Sequence, residues 1–246
     1  MSYVPRRRAP RRHPWRRTRQ GRRVGPRRRL GGRRTSAVTA LVLTTLASIG
    51  YLGWELVGTT WLARAHQREA LNALTTAWGR QSPSTTRNGV AVDGIVRIPR
   101  FGPAYAVPLV EGTAPSSLTL GVGHLVGTAQ PGQVGNLVLA GHRITHGEPF
   151  RRLPELRPGD EVLIDTVTYR YVYRVSAAKA LRVSAGATWV LAASPRDPAS
   201  SGPAPPDRRR LITLITCAEL FHTDDRLVVM GDFVRVAPRV PVQPQA

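Results

Sequence analysis

Three residues whose side chains together support nucleophilic catalysis stand at the ends of apolar, β-branched runs. Cys217, the single cysteine of the chain, closes the run LITLITC, and His142 closes the run NLVLAGH. Arg226 opens the run RLVVMGDFVRV, nine residues after the cysteine. A thiol attacks as its thiolate, so it needs a base or a cation nearby to offset an ordinary pKa of about 8.5. His142 and Arg226 would supply both, and the set predicts a cysteine nucleophile.

A buried structural cysteine is the simpler interpretation of a lone thiol. The position of Cys217 favours chemistry, because the apolar run stops there and the following residues, AELFHTDD, are loop-like. Thr216, directly before the thiol, is a candidate substrate contact or merely a residue of high β-propensity. His124, in GVGH, lies near another predicted strand end and is either a pocket-lining residue or a structural one.

The elements that must position these residues are strands. From residue 91 onward, short β-branched runs alternate with Gly and Pro. About eight or nine runs of strand length predict an all-β fold, a closed barrel or a sandwich of about 150 residues, with one helical turn near 149–156. The Pro- and Ser-rich segment 194–209 predicts a long loop before the Cys217 strand. The predicted strands are 92–98, 105–110, 117–123, 136–142, 161–165, 168–175, 188–192, 210–216 and 226–236.

The N-terminal quarter has a different composition. The chain of 246 residues carries a net charge of +21, and fifteen Arg lie in residues 1–34 with no Asp, Glu or Lys. Twenty uncharged residues follow, Thr35–Trp54. At about 1.5 Å per residue they would cross the ~30 Å hydrocarbon layer, and the Arg block would keep the N-terminus cytoplasmic. A cleaved signal peptide or a buried core helix is the alternative for this segment. Binding of nucleic acid by the tail is not expected, since a basic flank orients a membrane span.

These patterns predict five regions. They are a disordered Arg-rich cytoplasmic tail at 1–34, a transmembrane helix at 35–60, a stalk helix and linker at 61–90, an extracellular β-barrel at 91–238 and a disordered tail at 239–246. The single cysteine excludes an internal disulfide framework and a zinc site of the CxxC type. No metal or organic cofactor is predicted.

The runs LITLITC and NLVLAGHR, with Arg226 leading into a strand, resemble the sortase family of cysteine transpeptidases. The resemblance covers about 145 residues, Val92–Val236. The stretch GVGHLVGTAQPGQVGNLVLAGHRITHGEPFRRLPELRPGDEV is similar to class E sortases of actinobacteria, which are Gram-positive. His146 departs from that pattern, in which an aromatic residue is usual.

The resemblance implies a closed sortase-type barrel of about eight strands and a role for each residue. Cys217 would attack the Thr–Gly carbonyl of an LAxTG- or LPxTG-like sorting signal and form a thioacyl-enzyme. His142 would act as general acid and then base, and Arg226 would stabilise the oxyanion or hold the substrate backbone. His124 and Thr216 would contact the substrate. The implied partners are sorting-signal-bearing surface proteins and an amine of a peptidoglycan precursor or a pilin.

Two other functions fit the same residues. The barrel could be a non-catalytic extracytoplasmic module that binds a cell-wall ligand, with an inert cysteine. Alternatively, water could resolve the acyl-enzyme, as in a thiol protease. The papain arrangement of a helical Cys and an Asn that orients the His is absent from the sequence pattern.

Overall fold

The computed structural model describes residues 31–54, 58–176, 180–196, 198, 208–217 and 224–239. The chain divides into two compact units, Met1–Ala47 and Ser48–Ala246. Most of the predicted tail at 1–34 lies outside the described residues, and so do residues 240–246 of the predicted C-terminal tail.

The first helix, α1, spans Gly31–Gly53. The hydroxyls of Thr44 and Thr45 donate to the carbonyls four residues earlier, each at 2.9 Å, so these polar groups are satisfied within the helix. Over the part of the chain that the structure describes, no helix has both the length and the apolar character needed to cross a membrane. The helix predicted within 35–60 is present, but its membrane-spanning character is not confirmed.

The second unit is built on a ten-stranded sheet whose strands are mostly antiparallel. Eight strands follow one another in the order β2-β3-β4-β5-β9-β10-β7-β6, and β6 pairs back onto β2, which closes the barrel. The predicted closed barrel of about eight strands is thereby confirmed. β1 extends the sheet beside β2, and β8 pairs with β10. The strands are β1 Thr85–Arg87, β2 Val90–Arg97, β3 Val107–Glu111, β4 Val122–His124, β5 Gly135–Ala140, β6 Glu161–Asp165, β7 Tyr169–Val175, β8 Leu181–Ser184, β9 Arg210–Cys217 and β10 Asp225–Pro238.

The barrel interior is filled by side chains that the strands and one loop supply. Among its fully buried members are Leu137, Leu139, Phe150, Ile212 and Leu214. Burial of each such side chain contributes about 1.5–3 kcal/mol. β5 and β9, the strands that lead to His142 and Cys217, thus each contribute alternate side chains to the core.

A second helix, α2, spans Thr59–Gly79 and covers the outside of the barrel. Its buried face includes Ala70, Leu74 and Trp78, which form a separate cluster with β2, β3 and the short helix α3, Pro115–Leu120. The predicted stalk helix therefore packs against the barrel. The exposed face includes Trp61, which is 73% accessible.

Two predicted strands are wrong. Residues 117–123 form the end of α3 and the short β4, because Pro115 stands in the first turn of the helix and α3 ends before Gly121. Residues 188–192 form a 3-10 turn, Thr188–Leu191. The side-chain amide of Asn136 donates to the carbonyls of Val190 and Ala192, at 3.0 and 3.1 Å, and holds this turn against β5.

The helical turn predicted near 149–156 is present as a 3-10 turn, Leu153–Glu155. Beyond β10, the backbone of Arg239 donates to Thr168 O at 2.9 Å, and its guanidinium lies 4.5 Å from the ring centre of Trp78. The second unit is thus held together at its C-terminal end by a contact with α2.

Candidate active site

Pairing of β5 with β9 brings His142 and Cys217 to one edge of the barrel. The two strands are parallel, with Ala140 opposite Ile215, and the amide of Gly141 donates to Ile215 O at 3.1 Å. Parallel strands end at the same edge. His142 and Cys217 each lie two residues beyond this last pair, so they leave neighbouring strands side by side.

Pairing of β9 with β10 brings Arg226 beside Cys217. These strands are antiparallel, and Cys217 is directly opposite Arg226. Cys217 is exposed and Arg226 is half-buried. The register of β5, β9 and β10 thus brings together the three residues that the sequence selected. Their catalytic roles stay predictions.

Two polar contacts fix the junction between β5 and β9. The hydroxyl of Thr216 donates to Gly141 O at 2.8 Å, and the residue is 3% exposed. The guanidinium of Arg143 donates to Cys217 O at 3.4 Å. Thr216 therefore uses its hydroxyl to join the two strand ends in this structure, and its predicted contact with substrate remains untested.

Gly141 allows an aromatic ring to pack directly beneath the histidine. A Cβ at this position would lie 2.8 Å from the ring of Phe150. The amide of Phe150 donates to His142 O at 3.0 Å, so the same residue supports the backbone that carries the imidazole. His142 is thus joined through its backbone to a fully buried residue of the barrel core.

A second histidine stacks on the first. The rings of His142 and His146 are 4.8 Å apart with an interplanar angle of 28°. Burial, and then the charge of His146, lower the pKa of His142 to about 4. His142 is therefore neutral at pH 7 and holds an added proton only weakly. Sequence reasoning noted His146 only as a departure from a pattern, and the spacing of four residues was the signal for a neighbour.

His124 lies in a polar cluster instead of at the open edge. Its ring nitrogens are 3.0 Å from a carboxylate oxygen of Glu111 and 3.1 Å from the hydroxyl of Thr128, and the residue is 3% exposed. Burial and the neighbouring Glu111 raise the pKa of Asp93 in the same cluster. Both ring nitrogens of His124 are occupied, so this conformation offers neither to a substrate.

Across the described ranges, no group of three or more His, Cys, Asp or Glu side chains is arranged to hold a metal ion.

The sortase domain family matches residues 96–234. This range covers more than half of the chain, and it includes the three residues at the edge. The chain belongs to the sortase family, whose members are cysteine transpeptidases.

Similar proteins include class E sortases of actinobacteria, in agreement with the resemblance that the sequence motifs carry. Sortase SrtE1 from Streptomyces coelicolor is 31% identical over 220 residues, which are 85% of this chain and 60% of that protein. The chain thus spans less than two thirds of this relative. The crystal structure of sortase E1 from the same organism, with a tripeptide in the active site, is 33% identical, with 61% of this chain and 93% of that one covered and a TM-score of 0.52. The SrtA sortase from Actinomyces oris is 31% identical, with coverage of 66% and 91% and a TM-score of 0.53.

Proposed function

We propose that this protein is a membrane-anchored cysteine transpeptidase that cleaves a sorting signal between Thr and Gly and transfers the protein to an amine. The observation that carries the proposal is the strand register, with Cys217 opposite Arg226 and beside the end of the His142 strand. The exposed thiol favours catalysis over the inert cysteine of a binding module.

The first half-reaction uses His142 in its neutral form. His142 takes the proton of the Cys217 thiol as sulfur attacks the carbonyl carbon of the Thr–Gly bond. The resulting tetrahedral oxyanion is stabilised by the Arg226 guanidinium, and one well-placed donor of this kind contributes about 3–4 kcal/mol. His142 then returns the proton to the Gly nitrogen as the C–N bond breaks, leaving a thioester and a free amine.

The second half-reaction reverses these roles. An incoming amine attacks the thioester while His142 accepts the proton of that amine. The thiolate leaves and recovers the proton from His142, so no net acid or base is consumed. Water at the same position would give hydrolysis in place of transfer.

The proposed substrate is a peptide of the LAxTG or LPxTG type. The tripeptide in the active site of sortase E1 from Streptomyces coelicolor supports a peptide ligand for this family member. The proposed acceptor is an amine of a peptidoglycan precursor or of a pilin.

We also propose that the catalytic unit works on the outer side of the cell membrane, with a cytoplasmic N-terminus. The support is in the sequence, where fifteen Arg precede twenty uncharged residues. Protease accessibility of tagged N- and C-termini in intact cells tests this orientation separately from catalysis. Cleavage of an N-terminal tag from outside would contradict it.

The test of the proposed chemistry is cleavage of fluorogenic LAxTG and LPxTG peptides by the full chain, with and without an amine acceptor. Cys217→Ala should abolish cleavage, and His142→Ala should reduce kcat/KM by about 10²–10⁴-fold. Arg226→Gln should reduce it by about 10²–10³-fold. A matched control, Arg235→Gln, should retain activity because Arg235 lies nine residues further along β10 and pairs with Glu161.

Activity that persists in Cys217→Ala would reject the proposal. A wild-type chain that binds cell-wall fragments but cleaves neither peptide would indicate the binding module. A product identical with and without the amine would indicate a hydrolase.

A further inference from the structure

The turn that carries His146 has an unusual backbone. His146, Gly147 and Glu148 have successive φ angles of 52°, 86° and 54°. Residues with a Cβ rarely adopt this left-handed region, and such conformations persist where the surroundings hold them. We call residues 146–148 the His146 turn. The contacts of this turn with other residues show what holds it in the left-handed conformation.

Gln67 of α2 packs directly against the His146 turn. Its side-chain amide donates to His146 O at 3.1 Å and to Thr119 O, at the end of α3, at 3.3 Å. Gln67 is 7% exposed. A Cβ at Gly147 would lie 2.6 Å from the amide nitrogen of Gln67, so a glycine is needed for this approach.

A second contact from α2 lies one helical turn earlier. Arg64 pairs with Glu148 at 3.4 Å, and Arg151 pairs with the same carboxylate oxygen at 2.8 Å. The Glu148 side chain is 10% exposed. Two consecutive turns of α2 therefore hold both ends of the His146 turn.

We propose that Gln67 is a positioning residue, which fixes the backbone of the His146 turn and thereby keeps the His146 ring stacked on His142. The inference rests on the proposed function only in that His142 is taken as the catalytic acid and base. The geometry of the contact does not depend on the reaction.

The chemistry of the amide explains why this residue is a glutamine. Both protons of its NH₂ group point at carbonyl oxygens, one on the His146 turn and one at the end of α3. A glutamate at this position would have the same size but would face the same two acceptors with oxygen. A methionine would keep the volume and lose both donors.

We expect a change in the pKa of His142 when Gln67 is replaced. Gln67 contacts His146, and the ring of His146 stacks on His142. Among the described residues, the titratable and charged groups at this edge include His146 and Arg143 from the same loop, Cys217 from β9 and Arg226 from β10. If the His146 turn relaxes, His142 loses both the neighbouring charge and part of its cover. Its pKa should then rise from about 4 toward the ordinary value.

The experiment is an NMR titration of the His142 ring in the full chain, together with steady-state kinetics, for Gln67→Glu and Gln67→Met. Each variant should raise the pKa of His142 by about half a unit or more. Each should also lower kcat by about tenfold with little change in KM, because a small misplacement of a catalytic group lowers the rate of the chemical step. If Gln67→Glu does not fold, Gln67→Met alone tests the proposal.

Two variants of the same helix are the controls. Thr75→Ala removes an exposed hydroxyl that bonds only within α2. Leu74→Ala loosens the buried face of α2 without touching the His146 turn. Thr75→Ala should match the wild type in every respect, and Leu74→Ala should lower Tm but leave the titration of His142 unchanged.

An unchanged titration in Gln67→Met would overturn the inference, and so would an equal shift in Leu74→Ala. The titration does not require turnover. A wild-type chain that lacks transpeptidase activity would reject the proposed function and leave this measurement interpretable.

Discussion

At the scale of single residues, the site depends on a histidine that is kept neutral. Burial is the larger cause of the low pKa of His142, and the stacked His146 adds to it. A neutral imidazole has a nitrogen that can accept the thiol proton, but its low pKa also makes it a weak base. The stacked His146 therefore affects how strongly His142 holds the proton that it takes from Cys217.

His146→Phe should raise the pKa of His142 while keeping an aromatic ring in the stack. The substitution removes the neighbouring charge but leaves the burial, so the rise should be partial and remain below 6.5. NMR titration of the His142 ring measures it. A pKa that falls further in His146→Phe would show that the two rings do not repel.

The neutral state of His142 also affects folding. The unfolded chain binds a proton at His142 between about pH 4 and pH 6.5, while the folded chain does not. The contribution of this group to stability is complete above pH 6.5 and is lost as the pH falls toward 4. Urea unfolding from pH 7 to pH 4 should therefore show a smaller pH dependence for His142→Phe than for the wild type, and an equal dependence would contradict this assignment.

At the scale of elements, the close approach of a loop to a strand end positions the imidazole. Gly141→Ala would place a methyl group against the Phe150 ring at 2.8 Å. We expect a cost of about 1–3 kcal/mol and a loss of activity, because Phe150 also supports the backbone of His142. Gly186→Ala is the control, since a Cβ there meets nothing closer than 4.0 Å. Thermal unfolding and peptide cleavage should be measured for both variants. Equal Tm and equal activity of Gly141→Ala and Gly186→Ala would argue against this packing.

The buried amide of Asn136 connects β5 to two other elements. It donates to two carbonyls of the 188–192 segment and accepts from the Thr213 hydroxyl of β9 at 2.8 Å. Asn136→Ala removes this partner from the Val190 carbonyl and the Thr213 hydroxyl, both in buried residues, at a cost of about 1–3 kcal/mol for each group without a new partner. Asn72→Ala, on the exposed face of α2, should cost little. Chemical denaturation of both variants checks the difference, and a similar loss in each would contradict the role of Asn136.

At the scale of the whole molecule, α2 belongs to the folded catalytic unit. Ala70, Leu74 and Trp78 cover Val92 and Ile95 of the barrel. Removal of residues 1–80 should expose this cluster, lower Tm and promote association. Removal of residues 1–47 should leave the cluster covered. Light scattering and thermal unfolding of the two shortened chains separate these outcomes, and equal stability would show that α2 is dispensable.

The strands that lead to Cys217 and His142 could be predicted from the sequence, because LITLITC and NLVLAGH are apolar runs that stop at a polar residue. The spacing of nine residues from Cys217 to Arg226 is also consistent with the antiparallel pairing of β9 and β10. The run SLTLGVG was wrongly predicted to be a strand, because its β-branched residues and leucines outweighed the helix start at Pro115. The parallel pairing of β5 with β9 and the contact from Gln67 to the His146 turn are long-range, and local periodicity carries no information on them.

The Arg239–Trp78 stack places the last described residue of the second unit beside its first long helix. The same residue donates through its backbone to Thr168 O. A C-terminal fusion tag should therefore follow Arg239 and not replace it, because shortening the chain to Pro238 would remove both contacts and should lower Tm.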